Sequence, residues 1–245
     1  MAVRLVLAVI LTLSLLVSFD APRAAPMARL PRLVLWAWER PVDLRALPSD
    51  VGVAFLAQTI TATARASVVL PRRQPLRVAP GTSLMAVTRI ETPGGDPGLG
   101  QVADIARAIA ATAALPRVAA VQVDFDATLS QRPMYRQLLH AIRRELPRAT
   151  PLSITALASW CMQDDWLDDL PIDEAVPMLF RMGPAEEPLR AAAAARLRAP
   201  ACRSAIGTSL DEPLTITRGR TRVYVFNPQP WSDAAILAAR RQVWP

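Results

Sequence analysis

The run Val121-Gln122-Val123-Asp124-Phe125-Asp126 alternates polar and apolar side chains. At the two-residue period of a β-strand, Gln122, Asp124 and Asp126 share one face and Val121, Val123 and Phe125 the other. If the apolar face packs on helices, the polar face looks into the interior, where an ionised carboxylate is costly unless it is paired or functional. A single structural ion pair would not need two carboxylates, so the pair points to acid/base or ligand-holding chemistry. Arg89 and Glu91 share a register in the run 84–91, which makes Arg89 a partner for an inward aspartate. Glu39, Arg181, Asp211, Glu212 and Asn227 end or follow other β-rich runs. Trp36, Trp38, Trp160 and Trp231 are candidates to stack against a sugar ring. Each has a plainer alternative: a strand Trp packs helices, Glu39 before Arg40 and Pro41 is a solvated loop residue, and Asp211 and Glu212 are loop charges or caps before Pro213.

Elimination narrows the chemistry. The one histidine, His140, lies in a helical stretch whose stripe Tyr135, Leu138, Leu139, Ile142 and Leu146 leaves it near the polar side. That argues against Ser-His-Asp and Cys-His mechanisms. Two cysteines without a CxxC rule out zinc sites built on Cys and His. Acid/base work then falls to Asp and Glu, as in glycoside hydrolysis, where one carboxyl protonates the leaving oxygen and another attacks or activates water.

Eight β-rich runs can position these groups: 33–39, 51–60, 84–91, 118–126, 151–159, 175–181, 204–210 and 222–227. Helical periodicity is clearest over 100–114, 131–145, 186–198 and 232–241. Strand and helix in repetition imply parallel strands with right-handed crossovers, and eight strands at this length predict a closed (β/α)8 TIM-like barrel. Chemistry is then expected at the carboxyl ends of the strands. The barrel is expected to be irregular, because 43–47 leaves room for about one helical turn and 67–79 reads as an extra hairpin. An open doubly wound sheet is the alternative, but no glycine-rich turn follows the first strand, and no cofactor is expected.

All 28 basic residues are arginine, the formal charge is +7, and 52% of residues are hydrophobic. The arginines are scattered rather than gathered into a phosphate-tracking stripe, which argues against nucleic-acid binding. Arg4 followed by the apolar run Leu5–Val17 reads as a secretory signal. Residues 1–25 are thus expected to be a signal peptide or, with Pro22 and Arg23 spoiling the cleavage pattern, a membrane anchor, and 30–245 one barrel domain outside the cytoplasm. Cys161 follows the fifth strand and Cys202 precedes the seventh, which would set them at opposite ends of a barrel, so two free thiols are expected.

Several motifs resemble a bacterial family known only as a domain of unknown function: Val121–Asp126 with Ser130-Gln131-Arg132 and Tyr135, Leu35-Trp36-Ala37-Trp38-Glu39, Ser153–Cys161, Asp173–Met178, Phe180–Gly183 and Asp211-Glu212-Pro213. The resemblance spans nearly all the chain after the export segment and implies no assigned activity. The end of the fourth strand also resembles chitinase-type glycoside hydrolases, whose Asp-x-Asp-x-Glu carries the acid on its glutamate. Asp124 and Asp126 match the aspartates, but Thr128 holds the glutamate's place. By this resemblance either Glu91, Glu39 or Glu212 supplies the acid or the protein binds without cleaving. The expected protein is therefore a monomeric carboxylate hydrolase of a polysaccharide or oligosaccharide, with Asp124, Asp126 and Glu91 at its centre and Arg89 and Arg181 orienting the substrate. A non-catalytic saccharide-binding barrel is the alternative, and a hydrolase holding Mg²⁺ or Ca²⁺ on Asp124, Asp126 and Glu91 a third.

Overall fold

The computed structural model of the chain describes residue 27 and residues 30–93, 95, 97–182, 196–214 and 222–244. The expected export segment and most of the helix expected over 186–198 lie outside the described residues. The strands are β1 (Leu33–Ala37), β2 (Val42–Leu44), β3 (Val51–Ala62), β4 (Ser67–Pro71), β5 (Leu76–Val78), β6 (Leu84–Glu91), β7 (Val118–Asp124), β8 (Leu152–Leu157), β9 (Glu174–Met178), β10 (Ala205–Ser209) and β11 (Arg222–Phe226). The helices of the described residues are α1 (Val102–Ala111), α2 (Arg132–Glu145), α3 (Ala158–Met162) and α4 (Asp233–Val243). Strands β1, β3, β6, β7, β8, β9, β10 and β11 pair in that order, all parallel, and β11 returns to β1 to close the barrel. Each of the eight β-rich runs is one of its strands. The segment 67–79 divides: β4 turns back antiparallel on the end of β3, and β5 leaves the barrel to pair with β2.

Side-chain alternation sorts the layers. Outward residues such as Val121, Val123 and Ile154 pack beneath Ile105 and Ile109 of α1 and Leu138, Leu139 and Ile142 of α2. On the other flank Leu33, Leu35, Val223 and Val225 join Ala239 and Val243 of α4, whose cap residue Ser232 accepts a hydrogen bond from the Ala235 N–H. His140 is exposed on α2, as its place on the polar side requires.

Inside the barrel, Val34, Trp36, Ala54, Met85, Val87, Ala120, Val176, Ala205 and Tyr224 fill the middle, so it is a packed core and not a pore. Small residues admit the large rings. A Cβ on Gly207 would lie 2.9 Å from the Trp36 ring. Below this layer Glu174 is fully buried and receives Arg222, the Tyr224 hydroxyl at 2.7 Å and the Ser153 hydroxyl at 3.4 Å. Burial pushes the Glu174 carboxyl up, and Arg222 opposes that rise. Arg222 also donates to the carbonyls of Met27 and Pro31, tying the incoming chain across the barrel floor.

The cysteines overturn the expectation of free thiols: Cys161 and Cys202 form a disulfide with their Cα atoms 5.9 Å apart. The strand assignment stands, but the ends are not as far apart as it suggested. The short helix α3 folds against the outside of the barrel, and the approach to β10 runs beside it, with the N–H groups of Arg198 and Ala199 both donating to the Cys161 carbonyl. Both sulfurs sit in the buried layer with Trp160, Leu197 and Ala199.

Candidate functional site

Strand β7 delivers the carboxylates where the barrel opens. Asp124, 4% exposed, accepts hydrogen bonds from Arg89 Nη1 at 2.8 Å on Oδ2 and from the Thr155 hydroxyl at 2.7 Å on Oδ1. The flanking strands supply these donors because the β6 register sets Arg89 directly beside Asp124. Arg89 Nε also reaches Glu91 at 3.1 Å, so one guanidinium bridges two carboxylates. Asp126, two residues beyond the strand, accepts no hydrogen bond among the described residues. It stands at the solvent edge of the mouth, and partial burial together with the neighbouring Asp124 raises its carboxyl above the ordinary aspartate value, Arg89 offsetting part of the rise.

A cavity of about 520 Å³ opens over this group, lined on one side by Arg89, Asp124, Asp126 and Thr155 and on the other by Trp36, Trp38, Phe180 and Phe226. The aromatic wall is continuous. Phe180 and Phe226 stack with centroids 5.8 Å apart, Trp38 meets Phe226 edge-on at 6.4 Å, and Trp36 lies 6.2 Å from Phe180. Arg181 lines the same cavity, its guanidinium 5.3 Å from the centre of Phe226. Its backbone is left-handed, at φ 55°, a conformation that costs about 1–3 kcal/mol in a residue with a side chain and so requires external support. Glu212 supplies support by accepting the Arg181 N–H at 2.9 Å, and Asp211 lies 3.6 Å from the guanidinium. The Ser209 hydroxyl, with Arg181 adding, holds the Asp211 carboxyl below its ordinary value. Asp211 and Glu212 thus position Arg181 and do not line the cavity.

A second cavity of about 400 Å³ leaves the mouth between the loops that follow β6 and β7. Its walls are Ile90, Glu91, Thr92, Pro93 and Phe125, and it shares Arg89, Asp124 and Asp126 with the first. Gln131, at the start of α2, donates to the Thr92 hydroxyl at 2.9 Å and ties the two loops together.

The remaining candidates lie elsewhere. Trp160 is 2% exposed in the outer core, edge-on to Trp166 at 4.8 Å, because α3 turns its side chain under the helical layer instead of over the mouth. Glu39 accepts the N–H groups of Arg73 and Gln74 and secures that loop. Asn227 folds the turn after β11, accepting from Gln229 N–H and donating to the Pro230 carbonyl. Gln122 is inside the barrel, where it accepts the Trp36 indole N–H at 2.9 Å and donates to Ser153. It holds Trp36 in place beneath the cavity. Trp231 donates to the Trp36 carbonyl. Sequence reasoning missed Thr155, Phe180 and Phe226, although the alternation that placed Asp124 would have carried Ser153 to Thr155 and Met178 to Phe180 on the inward face.

Asp124, Asp126 and Glu91 gather around a guanidinium, and among the described residues no three or more His, Cys, Asp or Glu form a group that could hold a metal ion. Among those residues, too, no helix is long and apolar enough to cross a membrane.

No protein family and no curated protein matches the chain. Among solved structures it is similar to the chitinase domain of the spore coat protein CotE from Clostridium difficile, at 13% identity and a TM-score of 0.41, the match covering 60% of this chain and 49% of that one.

Proposed function

We propose that the protein is a glycoside-hydrolase-like barrel that acts on a polysaccharide or oligosaccharide through carboxylate acid/base chemistry. The observation that carries this reading is the Asp126 carboxyl: it is free of hydrogen-bonding partners among the described residues, raised by burial and by Asp124, and open to a cavity walled by aromatic rings. A carboxyl that keeps its proton longer than usual is suited to give it to a leaving glycosidic oxygen. The rings offer flat apolar faces to a sugar's C–H surfaces, while Arg89, Thr155 and Arg181 offer polar groups to its hydroxyls. Asp124, pinned from both sides, is oriented toward positive charge developing at the anomeric carbon, and Glu91 stands at the mouth as a further carboxylate.

A screen of the purified chain from Met27 onward against bacterial polysaccharides and chromogenic glycosides tests this, run beside Asp124→Asn and Asp126→Asn. Release of reducing ends that both substitutions abolish is the expected result. A second reading, a saccharide-binding barrel without turnover, is favoured by the two donors that already occupy both oxygens of Asp124. Saccharide binding that both variants weaken, with no bond cleavage in the parent protein, would establish that reading instead.

The working place proposed for the protein is the cell envelope, with residues 1–25 as an export signal or anchor. The Cys161–Cys202 disulfide supports an oxidising compartment. Cell fractionation of a tagged chain checks this, and recovery in the cytoplasm would overturn it.

A further inference from the structure

The two cavities at the barrel mouth meet at one place, and that place is the group Arg89, Asp124 and Asp126, which lines both. Their volumes of about 520 and 400 Å³ each fall within the range of a complete small-ligand site, about 300–1,000 Å³. Their chemistry differs. The first offers the Trp36, Trp38, Phe180 and Phe226 wall. The second lies between two loops, with Glu91, Thr92 and Pro93 on one side and Phe125 and Asp126 on the other. The Gln131–Thr92 hydrogen bond ties those loops together, so the spacing of the second cavity's two walls is held by a contact between them.

We infer that the site takes an internal stretch of a glycan chain, which lies through both cavities with its central linkage over Asp124 and Asp126. The inference rests on the carbohydrate reading above and adds the mode of engagement. A ligand confined to one cavity would leave the other, and one side of the carboxylate pair, in water. A chain spanning both covers each side of the linkage, and the sugar units in the two cavities contribute binding independently of each other.

Binding of cello-, manno- and N-acetylchito-oligosaccharide ladders, from di- to hexasaccharide, tests the inference by calorimetry on the parent protein, Phe180→Ala and Pro93→Trp. Pro93 is exposed in a loop, so a tryptophan there narrows the second cavity without entering the core. The expected result is an affinity that rises by about tenfold or more from the shortest to the longest member of one ladder. That rise should collapse in Pro93→Trp, whereas Phe180→Ala should weaken every length. Where the chain is cleaved, the first products should be mid-length fragments instead of single sugars from an end. Equal affinity for short and long members, or a length dependence that Pro93→Trp leaves intact, would overturn the spanning mode and leave carbohydrate binding standing. Failure of every ladder and every polysaccharide of the screen to bind would overturn both.

Discussion

At the residue scale two neighbouring aspartates differ in what holds them. Asp124 has a donor on each oxygen, whereas Asp126 has none among the described residues and is pushed toward its protonated form by burial and by Asp124. If Asp126 is the proton donor, activity requires its protonated form and falls as pH rises through its raised pKa, so the alkaline limb of kcat/KM lies above the range of an ordinary aspartate. Asp126→Asn should lower kcat by about 10²–10⁴-fold, the usual worth of a general acid. Arg89 acts in the opposite sense on Asp126, because its positive charge favours the ionised carboxylate. Arg89→Gln should therefore move the alkaline limb upward, and a pH–rate profile of the two proteins reads the shift. An unmoved limb would remove Asp126 from the acid's role. The alternation of two neighbouring strands, β6 for Arg89 and β7 for Asp124 with Asp126 beyond it, makes these residues legible in the sequence, because inward polar residues on a core strand stand out against their neighbours. Trp160 misled because its position after a strand said nothing of the short helix that turns its ring away from the mouth.

Elements set what the residues can do. Each of the barrel strands was legible as a β-rich run because parallel barrel strands are buried on both faces. The disulfide was not, since the path of the chain between α3 and β10 depends on packing against the barrel wall that no local pattern encodes. Its loop spans 41 positions, so replacing Cys161 and Cys202 together by serine should cost about 2–4 kcal/mol, seen as a lowered unfolding midpoint that reducing agent reproduces in the parent protein. Strand β10 carries a second dependence. A methyl group on Gly207 would meet the Trp36 ring at 2.9 Å and the Pro177 carbonyl at 3.3 Å. The carbonyl is backbone, so the ring must move. Gly207→Ala should cost about 1–3 kcal/mol in denaturant unfolding and, by shifting the ring beneath the cavity, should also weaken the saccharide binding proposed above. Unchanged stability would show that the indole has room that the close contact denies it.

For the whole molecule the closed barrel raises a question of ends, since the mouth holds the site and the floor must keep water from the core. Glu174, Arg222 and Tyr224 form a buried network at the floor, and Arg222 extends it to the carbonyls of Met27 and Pro31. Met27 and Leu30 join the interior cluster with Val34 and Trp36, so these two side chains plug the barrel. The plug is not legible in the sequence, because residues 27–31 sit between the proposed export segment and the first strand and look like a linker. Glu174→Gln leaves the Arg222 charge buried without its counter-charge and should destabilise the fold by about 3–5 kcal/mol, while the saccharide affinity proposed for the distant mouth should persist in the folded fraction. The plug also bears on the export segment proposed above: if residues 1–25 are removed by cleavage, the cut is expected before Met27, because a later one would take the Met27 carbonyl that receives Arg222. A chain beginning at Met27 should therefore unfold at a distinctly higher urea concentration than one beginning at Arg32. Equal midpoints for the two chains would show that Arg222 is satisfied without the plug, and would free the cleavage point to lie anywhere up to β1.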